Sequence, residues 1–250
     1  MSRGPLVLTP LPGLPEVQPG DDLAALIADG LTRAGITPQP GDILVLAQKI
    51  VSKAEGRFAR LDDVRPSARA RALAQQTHKD PRLVELILRE SRDVLRAVPG
   101  VLIVEHRLGF VCANAGIDRS NVPARGPGEW VLLLPEDPDA SADRVRAGLE
   151  ARYRVPLGVL IIDSHGRAWR LGTVGMAIGL SGVPALVDMR GQPDREGYRL
   201  RVTQIAVADE LAAAASLMMG QAAEGTPVVH VRGFPYPLAE GRLAHLLRPR

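Results

Sequence analysis

Hydrophobic and polar positions recur along the chain with periods that distinguish helices from strands. Four apolar residues between Leu23 and Leu31 lie on one helix face, and Asp21 and Asp22 before them favour the helix start. The apolar run 43–50 predicts a strand that is buried on both faces. The alanine-rich segment 207–219 predicts a further helix, which Gly220 ends.

The remaining pattern predicts short strands and two more helical regions. Helices are expected within 64–90 and from Asp139 or Ser141, and strands at 6–8, 101–104, 109–112, 130–134, 158–162 and 226–231. Residues 171–183 are rich in Gly and Ala and show no clear period. Because strands and helices alternate without a regular βαβ rhythm, we expect an α/β fold with mixed, largely antiparallel sheets, flanking helices and one domain over 1–250.

Composition excludes several classes of protein. The single cysteine, Cys112, excludes a disulfide scaffold and a Cys-based zinc cluster within one chain. No apolar run approaches the ~18–20 residues of a membrane span, and the first residues lead into a short strand without a signal-peptide pattern. We therefore expect a cytoplasmic protein without a membrane partner.

The basic residues are almost all arginine. Of 31 Lys plus Arg, only Lys49, Lys53 and Lys79 are lysine, and the net charge is +3. The arginines are dispersed, without a basic stripe and interleaved aromatics, so no nucleic-acid partner is expected despite a pI of about 9.4. Lys49 and Lys53, near the end of the predicted buried strand, need an anionic partner. A nucleotide phosphate would serve, but an internal carboxylate is favoured.

Two polar segments that follow strands contain candidate ligand-binding residues. In 114–121, Asp118 and Asn121 offer oxygen ligands for a hard cation or a nucleotide, although an Asx turn explains the same residues. In 161–170, Asp163 and Ser164 follow an apolar strand and suit Mg²⁺ or Mn²⁺. The alternative there is an ordinary strand-end aspartate beside solvated arginines.

Other residues in these segments are open to two interpretations. Arg167 and Arg170 are spaced to clamp a phosphate or carboxylate. His165 is an acid–base candidate, but a lone loop histidine is more often simply hydrogen-bonded. The turn at Met218–Gln221 either approaches a ligand or only caps a helix. No P-loop or Rossmann glycine motif is present, so a nucleotide would be bound by other means.

Taken together, the segments resemble the coenzyme F420-0:L-glutamate ligase family. The matches keep their order and cover about residues 6–234. They are 13–16, 19–23, 47–57 (AQKIVSKAEGR), 111–121, 133–141, 163–170 (DSHGRAWR) and 202–213.

The resemblance implies an unusual α/β fold that forms an intertwined homodimer, without the nitroreductase-like second domain that some members carry. It implies a GTP-dependent ligase in which the carboxylate of coenzyme F420-0 is phosphorylated and the amine of L-glutamate attacks the acyl phosphate. Further γ-linked glutamates follow in some cases. Mg²⁺ or Mn²⁺ at two sites, with K⁺ as an additional ion, and GTP as co-substrate are expected. Such chemistry needs cations to neutralise the triphosphate.

The resemblance also assigns site residues. Asp118, Asp163 and Ser164 match metal positions, and Asp118, Asp163 and Arg167 are the candidate catalytic residues. The GTP positions are Leu14, Pro15, Glu16, Val17, Gln48, Lys53, Asn121, Met218, Met219, Gly220, Gln221, Ala222, Ala223 and Glu224.

The chain departs from the family pattern in one segment. After the arginine-rich motif, Leu171, Val174 and Gly175 replace the usual Asn, Thr and Asp, while Gln204 replaces Glu and Gln221 a common Lys. We therefore hypothesise that nucleotide activation is retained and that recognition of the acceptor or of glutamate has changed. The alternatives are a divergent ligase for another phosphate-bearing acid and a nucleotide-binding partner protein with weak catalysis.

Overall fold

The computed structural model describes residues 4–123 and 125–249. The helices are α1 (Leu23–Arg33), α2 (Gln48–Ala54), α3 (Ala68–Thr77), α4 (Pro81–Arg89), α5 (Pro138–Tyr153) and α6 (Val207–Met219). The strands are β1 (Val7–Pro10), β2 (Ile43–Ala47), β3 (Phe58–Arg60), β4 (Ser91–Val98), β5 (Val101–His106), β6 (Val111–Ala113), β7 (Trp130–Leu132), β8 (Gly158–Arg167), β9 (Arg170–Ser181), β10 (Val187–Asp188), β11 (Gln204–Ile205) and β12 (Val228–Arg232).

A five-stranded sheet in the order β1-β12-β2-β8-β9 organises the larger hydrophobic core. Strands β2 and β8 run parallel, whereas the other neighbours in this sheet are antiparallel. The α1, α5 and α6 helices contribute buried residues to the same core. The predicted mixed, mostly antiparallel α/β fold is confirmed.

A smaller core lies beside the first. It includes residues of α3, α4 and the antiparallel sheet β4-β5-β6, as well as the β3-β7 pair. The strands predicted at 101–104 and 109–112 are confirmed as β5 and β6, which pair antiparallel. Strand β4, which the pattern did not predict, completes this sheet by pairing with β5.

Aspartates start three of the helices, of which the cap of α1 was predicted. The predicted start of α5 at Asp139 or Ser141 is wrong, because both residues lie inside the helix. Asp22 accepts hydrogen bonds from the amides of Ala24 and Ala25 at the start of α1. Asp80 and Asp137 cap α4 and α5 in the same way. These bonds satisfy backbone amides that have no partner within the helix. Helix α6 has the predicted bounds.

Several predicted strand boundaries are wrong, and two of the errors lie beside the cleft described below. The apolar run 43–50 is a strand only to Ala47, where the chain enters α2. Strand β8 does not end before Asp163 but continues to Arg167, because it pairs with the unpredicted β9 over this stretch. Glycines hide the period of β9: helix α6 and Pro138 pack so closely on its backbone that larger side chains do not fit.

Across residues 4–123 and 125–249, none of the helices combines the length and the apolar character that crossing a bilayer requires.

Candidate nucleotide and metal site

A cleft of about 450 Å³ lies where the parallel strands β2 and β8 run towards their carboxyl ends. This volume falls within the range of roughly 300–1,000 Å³ that small-molecule pockets usually have. Crevices at the carboxyl ends of parallel strands are common ligand sites in α/β sheets. The lining comes from four segments, which are 14–17, 47–53, 162–164 and 216–227, and from Asn121.

The cleft gathers most of the predicted site residues. All the predicted GTP positions except Met218 line it, and so do Asp163 and Ser164. Met218 is 41% exposed at the end of α6. Asp118 is not among the lining residues, but it contacts Gln48 and Lys49, which are. Arg167 does not line the cleft.

Asp118 is fixed from both its backbone and its side chain. Its amide and carbonyl pair with Leu132, while its carboxylate accepts a 2.5 Å hydrogen bond from the Gln48 amide and lies 3.4 Å from Lys49 Nζ. Burial raises its pKa to about 6; Lys49 opposes this shift and the charge of Asp163 adds to it. The carboxylate thus contacts a distant helix and not the backbone amides of an Asx turn.

Asp163 and Ser164 occupy successive positions on β8, and both line the cleft. A β-bulge lies between Ile161 and Ile162, immediately before them, and such bulges redirect side chains beside sites. The Ser164 hydroxyl donates a 2.9 Å hydrogen bond to Gln221 Oε1. The Asp163 carboxylate lies 3.0 Å from His165 Nε2.

The oxygen donors present are of the kind that a magnesium-type ion prefers. The charge of Asp163 contributes to the raised pKa of Asp118, and Ser164, next to Asp163 in the lining of the cleft, adds a hydroxyl oxygen. No group of three His, Cys, Asp or Glu side chains within 4–123 and 125–249 is arranged to hold a metal. Mg²⁺ usually needs only one or two carboxylates because water and substrate phosphates complete its shell. The residues therefore suit a cation bound together with a nucleotide.

Lys53 lies deeper in the protein than Lys49. Its side chain is 8% exposed, and Nζ lies 2.5 Å from Glu16 Oε1. Both lysines of α2 therefore have an internal carboxylate partner, as the sequence favoured, although both also line the cleft. A buried ammonium needs such a partner when no other anion is present.

The turn after α6 closes one side of the cleft. Gly220 has a φ of 73°, and a Cβ there would overlap the Glu224 carboxylate, which accepts a hydrogen bond from the amide of Ala222. Asn121 donates a 3.1 Å hydrogen bond to the carbonyl of Ala222, 101 residues away. Gly220 therefore does more than end the helix: it allows this turn to fold back on itself.

The sequence of this chain is similar to those of known proteins. The family model described as F420-0:Gamma-glutamyl ligase matches residues 13–233. The chain is 50% identical over 228 residues to the coenzyme F420:L-glutamate ligase of Methanopyrus kandleri, covering 91% of this chain and 87% of that protein. It is 46% identical over 240 residues to the Methanothermobacter thermautotrophicus protein of the same name, covering 95% and 94%.

The chain belongs to the F420-0:gamma-glutamyl ligase family.

Arg167 lies away from the cleft of this family member. It is four residues beyond Asp163 on an extended strand, a distance of about 13 Å. Its guanidinium donates to the carbonyls of Leu171 and Gly172 at the tip of the β8–β9 hairpin. Its predicted catalytic role is not tested by this contact and stays a prediction.

The segment that departs from the family pattern also lies in this hairpin. Leu171 is 98% exposed, and neither it nor Val174 nor Gly175 lines the cleft. At Gly175 the backbone of β9 meets α6 so closely that a Cβ would lie 2.5 Å from the carbonyl oxygen of Ala212. Close packing against α6 therefore accounts for the glycine at this position, and the hypothesis of a changed acceptor stays a prediction.

Sequence reasoning missed Glu16 as the partner of Lys53 and left Lys49 outside the set of candidate site residues. The Lys53–Glu16 pair joins positions 37 residues apart, so no local spacing indicates it. The chain has only three lysines, and Lys49 lies four residues before Lys53. This pairing was the signal that could have identified Lys49 as a site residue.

Proposed function

We propose that the protein is a GTP-dependent ligase that joins the carboxylate of coenzyme F420-0 to the amine of L-glutamate through an acyl phosphate. The observation that carries this proposal is the cleft, where predicted nucleotide positions from three segments surround Asp163 and Ser164. Relatives at 41–50% identity are named coenzyme F420:L-glutamate ligases, which supports the same acceptor and amino acid.

The proposed reaction proceeds in two steps. An oxygen of the acceptor carboxylate attacks the γ-phosphorus of GTP, and the bond from that phosphorus to the β–γ bridging oxygen breaks to release GDP. The amine of L-glutamate then attacks the acyl carbon, inorganic phosphate leaves and the amine loses a proton. Repetition on the new side-chain carboxylate would extend a γ-glutamyl tail.

The protein's contribution to these steps is charge and orientation. Lys53, freed from Glu16, supplies a nearly buried ammonium for the nucleotide phosphates. Asp118, Asp163 and Ser164 would hold Mg²⁺ or Mn²⁺, which neutralises phosphate charge when bound. Phosphoryl transfer depends mainly on such electrostatic stabilisation and on positioning.

Purified protein supplied with GTP, MnCl₂, L-glutamate and F420-0 tests the proposal. We expect one GDP and one phosphate for each glutamate joined to F420-0, detected by chromatography and mass spectrometry. Asp118→Ala is the matched inactive control, since it removes a proposed metal ligand. GDP binding without amide product would favour the nucleotide-binding partner protein, and product with another acid only would favour a divergent ligase.

We also propose that the protein works as a homodimer. Several apolar side chains are exposed near the β4-β5-β6 sheet and the β8–β9 hairpin tip: Leu95, Val101, Val111, Trp169 and Leu171. Arg96 of this sheet lies 5.9 Å from the Trp169 ring centroid, so the tip and the sheet are neighbours. Exposed apolar patches of this kind often mark interfaces.

Sedimentation of a Trp169→Asp variant tests the dimer. We expect the wild type to sediment as a dimer and the variant to shift towards the monomer, while Tyr198→Asp, at another exposed aromatic, stays dimeric. A wild type that sediments as a monomer at micromolar concentration would contradict the proposed homodimer.

A further inference from the structure

Lys49 occupies a distinctive position at the cleft. It lies one helical turn before Lys53 on α2, so both side chains leave the same face of one helix and line the same cleft. Their partners are on different sides: Lys53 contacts Glu16, whereas Lys49 contacts Asp118 and Ser120 in the loop after β6. The two ammonium groups therefore serve different ends of the site.

The Lys49 ammonium makes longer contacts than its neighbours on α2, and one of them is a 3.4 Å hydrogen bond to the carbonyl of Ser120. Nζ lies 3.4 Å from Asp118 Oδ1, while the Gln48 amide lies 2.5 Å from Oδ2 of the same carboxylate. The Lys49 side chain is 27% exposed, compared with 8% for Lys53. Its shorter contact, 2.9 Å, is to the neutral hydroxyl of Ser120. A lysine on a flexible stem in this setting is able to exchange one anionic partner for another.

We propose that Lys49 is a catalytic residue that contacts the phosphoryl group during its transfer. In the free protein the ammonium compensates the charge of Asp118. With a nucleotide and a cation bound, Asp118 would serve as a ligand of the cation, and the Lys49 ammonium, released from Asp118, would contact the oxygens of the γ-phosphoryl group. This inference rests on the proposed ligase function, and it adds a residue to the site positions that the family resemblance assigned.

The charge balance of the reaction supports this role. Negative charge on the transferring phosphoryl group must be stabilised at the end of the cleft where Asp118 and Asp163 lie. These carboxylates bind a cation but repel the phosphoryl oxygens themselves. Among the described lining residues, Lys49 and Lys53 are the two with cationic side chains, and of the two it is Lys49 that contacts Asp118. Lys49 is thus the cationic residue positioned to stabilise the negative charge on the oxygens of the transferring phosphoryl group.

Three matched lysine variants of the full chain test the proposal: Lys49→Gln, Lys53→Gln and, as a control outside the cleft, Lys79→Gln. For Lys49→Gln we expect kcat to fall by roughly 10²–10³-fold, the usual effect of removing one donor to a developing charge. Its affinity for GDP with Mn²⁺, measured by calorimetry, should stay within about threefold because the contact forms chiefly during transfer. Lys53→Gln should show the reverse, with GDP affinity about tenfold weaker and a smaller change in kcat.

Lys49 either contacts the phosphoryl group or only holds the Asp118 carboxylate in place. The affinity of the protein for Mn²⁺ in the absence of nucleotide distinguishes these two roles. Titration of Mn²⁺ by electron paramagnetic resonance should show that Lys49→Gln binds the ion at least as tightly as the wild type, because the competing ammonium is gone. If Lys49 only holds Asp118 in place, Mn²⁺ affinity falls together with kcat, and the proposal is overturned. An unchanged kcat in Lys49→Gln overturns it as well.

Two further measurements, on Lys49→Arg and on the wild type, test whether the positive charge of Lys49 is what matters. Lys49→Arg should recover part of the lost kcat because it restores the positive charge, and no recovery would contradict the proposed contact. If the wild type makes no amide but binds Mn²⁺ and GDP, GDP formation from GTP in the acceptor's presence still reports the Lys49 effect. Absence of any GTP turnover by the wild type overturns both proposals, whereas wild-type turnover with an unaffected Lys49→Gln overturns only this one.

Discussion

The five-stranded sheet contains two aspartate–histidine contacts that differ in how completely their polar atoms are used. At the amino end of β2, the Asp42 carboxylate lies 2.8 Å from His230 Nε2 and accepts hydrogen bonds of 3.0 and 2.6 Å from the Arg232 guanidinium. Towards the far end of β8, Asp163 lies 3.0 Å from His165 Nε2, but this nitrogen has no hydrogen-bond partner.

The difference indicates separate roles for the same residue types. The Asp42 cluster is closed, since both carboxylate oxygens are occupied and Asp42 itself is 2% exposed. Asp163 lines the cleft, and its carboxylate has no guanidinium contact of the kind that Asp42 receives from Arg232 among the residues that the structure describes. A saturated buried group stabilises the fold, whereas an unsaturated group at a cleft is available to a ligand.

Loss of the cleft carboxylate should have the largest effect. Asp163→Asn should lower ligase turnover by roughly 10²–10⁴-fold, the rate equivalent of several kcal/mol of charge stabilisation. Thermal unfolding should stay near the wild-type midpoint, because the change also removes a like charge near Asp118. Steady-state rates with Mn²⁺ and a melting curve check both parts. Full activity with Mn²⁺ would show that Asp163 is not a metal ligand.

The corresponding change in the closed cluster should act on stability. Asp42→Ala leaves His230 and Arg232 without their carboxylate, which should lower the free energy of unfolding by about 3–5 kcal/mol. Turnover per folded molecule should not change, since Asp42 lies at the opposite end of its strand from the cleft. Urea unfolding and active-site-normalised rates test this. A large loss of kcat in folded protein would contradict the separation of the two contacts.

Acid should remove the stabilising effect of Asp42. Burial disfavours its charge, but hydrogen bonds from Arg232 and His230 outweigh burial and hold the pKa of Asp42 below its usual value. A lowered folded-state pKa gives stability above the unfolded-state pKa of about 3.9, and this stability is lost as pH falls through the folded-state value. The difference in unfolding free energy between the wild type and Asp42→Ala should therefore shrink below about pH 4. A difference that stays constant down to pH 2 would contradict this.

The two histidines provide the smallest and most direct comparison. His230→Phe removes a donor from Asp42 and should cost about 1–3 kcal/mol of stability. His165→Phe removes a buried nitrogen that has no hydrogen-bond partner, so its cost should stay below about 1 kcal/mol. Both rings are nearly buried and both substitutions are His to Phe, so the two variants change the packing to a similar extent. Equal losses in urea unfolding would show that ring packing, and not hydrogen bonding, separates the two sites.

Local signals predicted the elements that depend on local chemistry. The aspartate before α1 and the apolar period of that helix are both visible in the sequence, as are the bounds of α6. Strand β9 was missed because tertiary packing against α6 selects glycine, which conceals the alternation of a strand. Helix α2 was missed because its apolar residues continue the run of β2 without a polar cap.

The site residues could not be predicted from local patterns in the sequence. Spacing alone left Asp118 and Asp163 open to structural explanations, and only the ordered family matches assigned them together with the nucleotide positions. The structure brings these residues to one cleft. Partners such as Glu16 for Lys53 and Ala222 for Asn121 join distant segments, and no periodicity reports such contacts.

The parallel pairing of β2 with β8 has a consequence for how the protein folds. It joins Ile43 to Gly158, and the cleft beside it also needs residues from 14–17 and 216–227. Contacts between such distant segments form late, because the entropy of closing long loops must be overcome first. We therefore expect the binding site to assemble after the local helices and the β4-β5-β6 sheet. Nucleotide binding during refolding should lag behind the recovery of helical circular dichroism.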